Sequence, residues 1–189
     1  MNNIEKYRKF CLAENDIPIF SQDWWLDAVC GKTNWDVILI EKDNEIIASM
    51  PYFLTKKFVF KMIFMPKLTQ TMGCYILYPK GQKYEKKLSY EKDTMNKLIE
   101  QLPSVSYFFQ NFHYSRDNWL PFYWKGYTQT TRYTYILENL KDLELIFKNF
   151  RSNIKTDIRK AEKHINVVES DDLEQFYDIA TMTFKRQNK

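Results

Sequence analysis

Two apolar runs separated by a short polar stretch constrain this chain more than any other feature in it. WDVILIE (35–41) and IIASMPYFL (46–54) flank KDNE, a spacing that predicts an antiparallel hairpin closed by a four-residue loop. A lone hairpin is barely stable in water, so these strands require more strands and a helix over their apolar faces. Pro51 has no N–H to give a ladder and therefore places its strand at a sheet edge or marks a bulge.

The rest of the chain supplies the missing layers. Asn3 to about Glu14 predicts a helix with Ile4, Tyr7, Phe10 and Cys11 on one face. Ser21 is placed to cap a second helix, QDWWLDAVC, which Gly31 ends. FVFKMIFM (58–65), MGCYILY (72–78), VSYFFQNF (105–112) and the alternating TQTTRYTYIL (128–137) read as strands. Gly73 inside the second of these marks a bend or a close backbone approach. A helix from Ser89 to Leu102 turns Met95, Leu98, Ile99 and Leu102 inward, with Glu91 in its first turn and Pro103 stopping it. Asp117 is read as the cap of a short NWLPFYW helix. The result is a mixed α/β layer structure.

After Leu140 the character changes. LKDLELIFKNF and RSNIKTDIRKAEKH predict two helices, INVVES (165–170) a strand, and Asp171 the start of a last helix with Glu174 completing a capping box. Leu173, Phe176, Tyr177, Ala180 and Phe184 line one side of that helix, and a single strand is too little sheet to cover them. Two readings stay open: the opening of a second domain, or elements that fold back on the first domain or on a partner chain.

Composition excludes several function classes. The chain of 189 residues has room for one domain with a core, or for one domain and part of another. Its 28 basic and 24 acidic residues leave a net charge of +4, which permits an anionic partner without requiring one. The 3 cysteines, Cys11, Cys30 and Cys74, show no CxxC spacing, and the charged MNNIEKYRKF start has no apolar run; reduced thiols in a cytoplasmic protein are expected. No apolar run approaches the roughly 20 residues of a membrane-spanning helix. With 2 histidines and 4 glycines, the chain offers no histidine metal site, no GxGxxG and no P-loop, so no metal or cofactor is assigned to these residues.

The pieces QDWWLDAVC, NWDVILIEKDNEIIASMPYF, LTQTMG, NWLPFYWKGYTQTTRYTYIL and RSNIKTDIRKAEKHINVVES, in that order, resemble bacterial Fem-like, GNAT-related N-acyltransferases. The resemblance runs through almost the whole chain. It implies tandem GNAT-like domains, each with a mixed, mainly antiparallel twisted sheet flanked by helices. Residues 1–140 correspond to the first domain, 141–164 to a helical linker, and 165–189 to the opening strand and helix of an incomplete second domain. The implied reaction transfers an acyl or aminoacyl group to an amine, with acyl-CoA or aminoacyl-tRNA as donor. A small-molecule amine or a nucleotide-linked precursor is the implied acceptor, and tRNA a further partner. Nothing here matches the glycine-containing RxxGxG/A loop with which acetyl-CoA users of the wider superfamily cradle pyrophosphate, which argues against CoA binding by these residues. A polypeptide ending in an unfinished domain is expected to be inactive alone, or to act as a binding module for an anionic ligand, or to pair as a homodimer through residues 165–189.

Such chemistry needs a neutral amine, a proton acceptor and donors for an oxyanion. His113, just past a predicted strand, is a candidate base, although a lone histidine at a strand end is more often structural. Cys74, in an apolar strand, reads as a buried thiol rather than a nucleophile. Arg132 shares a strand face with Thr130 and Thr134, where a guanidinium either meets a buried carboxylate or reaches a ligand's carboxylate or phosphate. Trp24, Trp25, Trp119 and Trp124 serve core packing or a stacking platform. Arg151, Lys155, Arg159 and Lys163 recur every four residues beside an apolar seam of Ile154, Ile158, Ala161 and Ile165. That row is either the wet side of an ordinary helix or a grip on an anion, with Arg159 the best single position for the grip.

Overall fold

The computed structural model describes residues 2–187, and the chain divides between Thr130 and Thr131 into two compact units. The sequence placed that boundary at residue 140; the outermost residues of its predicted segments, Met1, Asn188 and Lys189, lie outside the described range.

The first unit is α+β. Its helices are α1 (Asn3–Ala13), α2 (Asp23–Cys30), α3 (Tyr84–Glu100) and α4 (Leu120–Trp124). Its strands are β1 (Trp35–Lys42), β2 (Glu45–Lys57), β3 (Phe60–Phe64), β4 (Tyr75–Ile76) and β5 (Tyr107–Phe108). They form one open sheet in the order β1-β2-β3-β5, with β4 added along β2. All pairs are antiparallel except β3 with β5.

The continuous run Val37-Ile38-Leu39-Ile40 explains itself here, because both faces of β1 are covered. Val37 and Leu39 join Tyr7, Phe10, Leu26 and Trp35 under α1 and α2. Ile38 and Ile40 join Ala48, Met50, Ile63, Met95 and Leu98 on the α3 side. Asn2 and Glu5 complete a capping box at the start of α1, and Arg8 ties α1 to α2 through Asp23 (2.9 Å) and Asp27 (2.7 Å).

Several expectations are corrected. The first hairpin closes on two residues, Asp43 and Asn44, both with positive φ, not on four. β2 is an interior strand despite Pro51, and the ladder's one register shift is at Ile40/Glu41. Pro51 is tolerated because it falls between the stretch of β2 that pairs β4 (Ala48, Ser49) and the stretch that pairs β3 (from Phe53). Its carbonyl accepts from Gln110 Nε2 at 2.9 Å, so the missing N–H faces a gap in the ladder. Ser21 does not cap α2. It lies in a 3-10 turn, Ile19–Ser21, and Gln22 takes the cap position without a side-chain bond. α3 begins at Tyr84, five residues before Ser89, which places Glu91 in the helix middle rather than its first turn. Asp117 caps nothing; Trp119 holds the cap position of α4, and Asn118 Oδ1 accepts from Leu120 N at 3.3 Å. Of residues 105–112 only Tyr107 and Phe108 are strand.

The second unit has α5 (Leu143–Asn149), α6 (Ser152–Ala161) and α7 (Leu173–Arg186). Neither 128–137 nor 165–170 forms a strand: among the described residues no amide of 128–137 or 166–170 donates to a backbone carbonyl, and Ile165 N bonds back to Ala161 O (2.8 Å) at the end of α6. Asp172, not Asp171, caps α7, accepting from Gln175 N at 2.9 Å. No described residue from 131 onward is buried.

Candidate functional site

A cleft of about 820 Å³ opens in the first unit. It forms where two parallel chain segments part. Met72 bridges Phe112, with Met72 N donating to Asn111 O (2.7 Å) and His113 N to Met72 O (3.0 Å). Beyond that bridge one segment runs along β2 as β4, while the other turns away through Arg116 N–H to His113 O (2.8 Å). Gly73 makes the close approach possible. Its φ is +98°, and a Cβ there would stand 2.7 Å from the Phe112 ring. The bend or close contact expected at this glycine is present.

The cleft wall holds a buried polar network. Glu91, on the inward face of α3 and 7 % exposed, accepts from the Tyr78 hydroxyl, from Arg116 Nη1 (3.2 Å) and from Asn118 Nδ2 (3.1 Å). The Glu91 and Arg116 side chains are each only 9 % exposed, and Arg116 Nη1 also donates to Tyr78. Three donors on one carboxylate satisfy a group that would otherwise be costly to bury. Among the described residues Arg116 Nε has no hydrogen-bond partner. Burial, with the hydrogen bond to Glu91, pushes the Tyr78 phenol up to about 12. Lys87 caps the outer side, its Nζ 4.3 Å from the Tyr78 ring centre.

His113 lines the same cleft. Its Nδ1 accepts from Ser115 N (3.3 Å) and lies 2.8 Å from Ser115 Oγ. A backbone N–H can only donate, so Nδ1 carries no proton and Ser115 Oγ donates to it. Burial, reinforced by the Arg116 cation, holds the His113 pKa below its ordinary value. The imidazole is therefore neutral at pH 7. Cys74 also borders the cleft, but burial pushes its thiol up to about 11. It is a buried thiol, as are Cys11 and Cys30.

Of the other expected positions, Trp119 also lines this cleft, whereas the basic candidates belong to the second unit. Arg132 lies in the second unit on an exposed, unpaired segment, and no described carboxylate forms a salt bridge with it. The face it was expected to share does not exist, because the strand does not form. Arg151, Lys155 and Arg159 also belong to the second unit. Arg151 is exposed at the cap position of α6. Lys155 Nζ donates to Lys148 O at 3.1 Å, and Arg159 lies 5.5 Å from the Phe147 ring centre, so both hold α5 to α6. Among the tryptophans, Trp25 Nε1 donates to Thr69 Oγ1 (3.0 Å), while Trp24 and Trp124 are more than half exposed.

Sequence reasoning missed Tyr78, Glu91, Arg116 and Asn118. A signal was present: Glu91 precedes Met95 by four residues and Leu98 by seven, a carboxylate on an apolar helix stripe. Starting the helix at Ser89 hid it, because a first-turn acid needs no further explanation. Among the described residues no group of three His, Cys, Asp or Glu side chains could hold a metal ion, and no helix is long and apolar enough to cross a membrane.

No protein-family profile, no curated protein and no solved structure matches this chain. The likeness to Fem-like N-acyltransferases rests on the motifs quoted above.

Proposed function

We propose that this is an N-acyltransferase-like protein and that the cleft of its first unit receives the amine to be acylated. One observation carries the reading: a neutral His113, linked through Nδ1 to the Ser115 hydroxyl, stands in a cleft beside a fully satisfied buried carboxylate. An amine attacking an acyl carbon must shed a proton as the C–N bond forms. Ser115 Oγ accepts that proton while passing its own to His113 Nδ1, and the leaving group departs with the electrons of the broken acyl bond. The Glu91–Tyr78–Arg116 network keeps the cleft wall rigid. Acyl-CoA or aminoacyl-tRNA is the donor the motif resemblance implies; these cleft residues assign neither.

A second reading, a binding module for an anionic polymer, is favoured by the exposed cations of α6, above all Arg151. A thermal-shift panel of amines, nucleotide-linked amines, acyl-CoA and aminoacyl-tRNA at two salt concentrations separates the two. A ligand at 100 times its Kd stabilises by about 2.7 kcal/mol. The acyltransferase reading expects a small-amine shift that survives salt and falls in His113→Ala and Ser115→Ala. A shift only with polyanions, abolished by salt and untouched by those substitutions, contradicts it and supports the module.

A further inference from the structure

The hairpin joining β2 to β3 is built against its own stability. It turns on two residues, Phe58 and Val59, between the paired Lys57 and Phe60. The first hairpin turns on the same number, with Asp43 and Asn44 at φ 53° and 65°, residue types suited to that conformation. Here the positive φ of 55° falls on a phenylalanine, where it strains the backbone. Lys56 stands directly across the ladder from Lys61, a like-charge pair that repels. Phe58 is 89 % exposed and Val59 87 %, with Phe60 also exposed. β1 pairs β2 only as far as Phe53 and β5 pairs β3 only from Met62, with Ser106 N donating to Lys61 O (2.9 Å), so residues 57–60 project as a two-stranded tip. From Ile46 to Tyr84 the chain has no Asp or Glu, while Lys56, Lys57, Lys61, Lys67, Lys80 and Lys83 fall within it.

We infer that this tip is a docking element for an anionic lipid surface. Apolar side chains at the apex, ringed by lysines without acidic neighbours in the segment, match the chemistry of a membrane interface. Phe58 and Val59 enter the boundary between headgroups and acyl chains. Lys56, Lys57 and Lys61 lie against the phosphates, which relieves their mutual repulsion. Attachment is peripheral, because the inserted element is a turn.

Co-sedimentation of the full chain with phosphatidylcholine vesicles, with and without about a third phosphatidylglycerol, tests this. Binding is expected to the anionic vesicles, weakening between about 0.1 M and about 0.5 M salt. Phe58→Ser with Val59→Ser is expected to weaken it at least about tenfold, and Lys56→Gln with Lys61→Gln about fivefold for each lysine removed. An unchanged melting temperature shows that these exposed substitutions leave the fold intact. Failure to bind anionic vesicles overturns the inference. So does binding that both tip variants leave unchanged, which places it elsewhere, for instance on the exposed apolar face of α7. Equal binding to an RNA duplex that depends on the lysines but not on Phe58 also overturns it.

Discussion

Residues 35–42 and 128–137 both carry the residue types of a β-strand, and they end differently. WDVILIEK becomes β1, pairs along β2 from Phe53 to Glu45, and is covered on both faces. TQTTRYTYIL alternates where β1 has a continuous apolar run, and it has more aromatics, yet it stays unpaired, with Tyr133 and Tyr135 almost wholly exposed. The same contrast runs through the two units. In the first, helix stripes meet a sheet; in the second, α7 presents Leu173, Phe176 and Tyr177 each at least 70 % exposed. β propensity describes fitness for a pleated, half-buried surface, and it is realised only where a second strand supplies the hydrogen bonds. Apolar patterning shows what a segment needs, and the neighbours decide whether it gets it.

Core truncation tests this contrast most strongly. Leu98→Ala, at a site with no exposed surface, is expected to cost about 2–5 kcal/mol in chemical denaturation. Phe176→Ala in the second unit removes a larger side chain and is expected to change stability by no more than about 0.5 kcal/mol. Comparable losses at both positions would break the comparison.

Next in size is the buried network. Glu91→Ala leaves the Arg116 cation buried without a counter-charge, and a loss of about 3–5 kcal/mol is expected. Lys155→Ala removes one partly exposed bond to the Lys148 carbonyl and is expected to cost about 1 kcal/mol or less. Equal effects in denaturant titrations would mean that the second unit is as tightly organised as the first.

The smallest effect is a pH slope. The folded state holds the His113 pKa below its unfolded value of about 6.5, so the unfolded chain binds more protons in that window. Stability contributed by the neutral imidazole is complete above the unfolded pKa and is lost as pH falls toward the folded one. His113→Gln is expected to flatten the dependence of the denaturation midpoint on pH just below 6.5. A wild-type slope retained in the variant would assign the effect to another group.

Much of the first unit was legible in the residues. The VILI run, the hairpin, the α1 face and the Met95–Leu98–Ile99 stripe all appear where patterning placed them. These features are local or repeat at the element's own period. The cleft was less accessible. His113 was singled out, yet its companions Tyr78, Glu91 and Arg116 are separated by 13 and 25 residues and meet only after the sheet forms. Pairing at that range leaves no periodic trace. Arg132 was misread for the converse reason: its alternation was real, and the strand that would have given it a face lacked a partner.

Residue-level hydrogen exchange of the full chain tests the central contrast most directly. Among the described residues, no amide from 128 to 138 or from 166 to 171 donates to a backbone carbonyl, so these are predicted to exchange at rates close to those of an unfolded chain. The amides of the β1–β2 ladder around Ile38 and Met50 are predicted to exchange only through global opening. Protection at Tyr133 and Tyr135 matching that of Ile38 would show a paired strand there and would contradict the account.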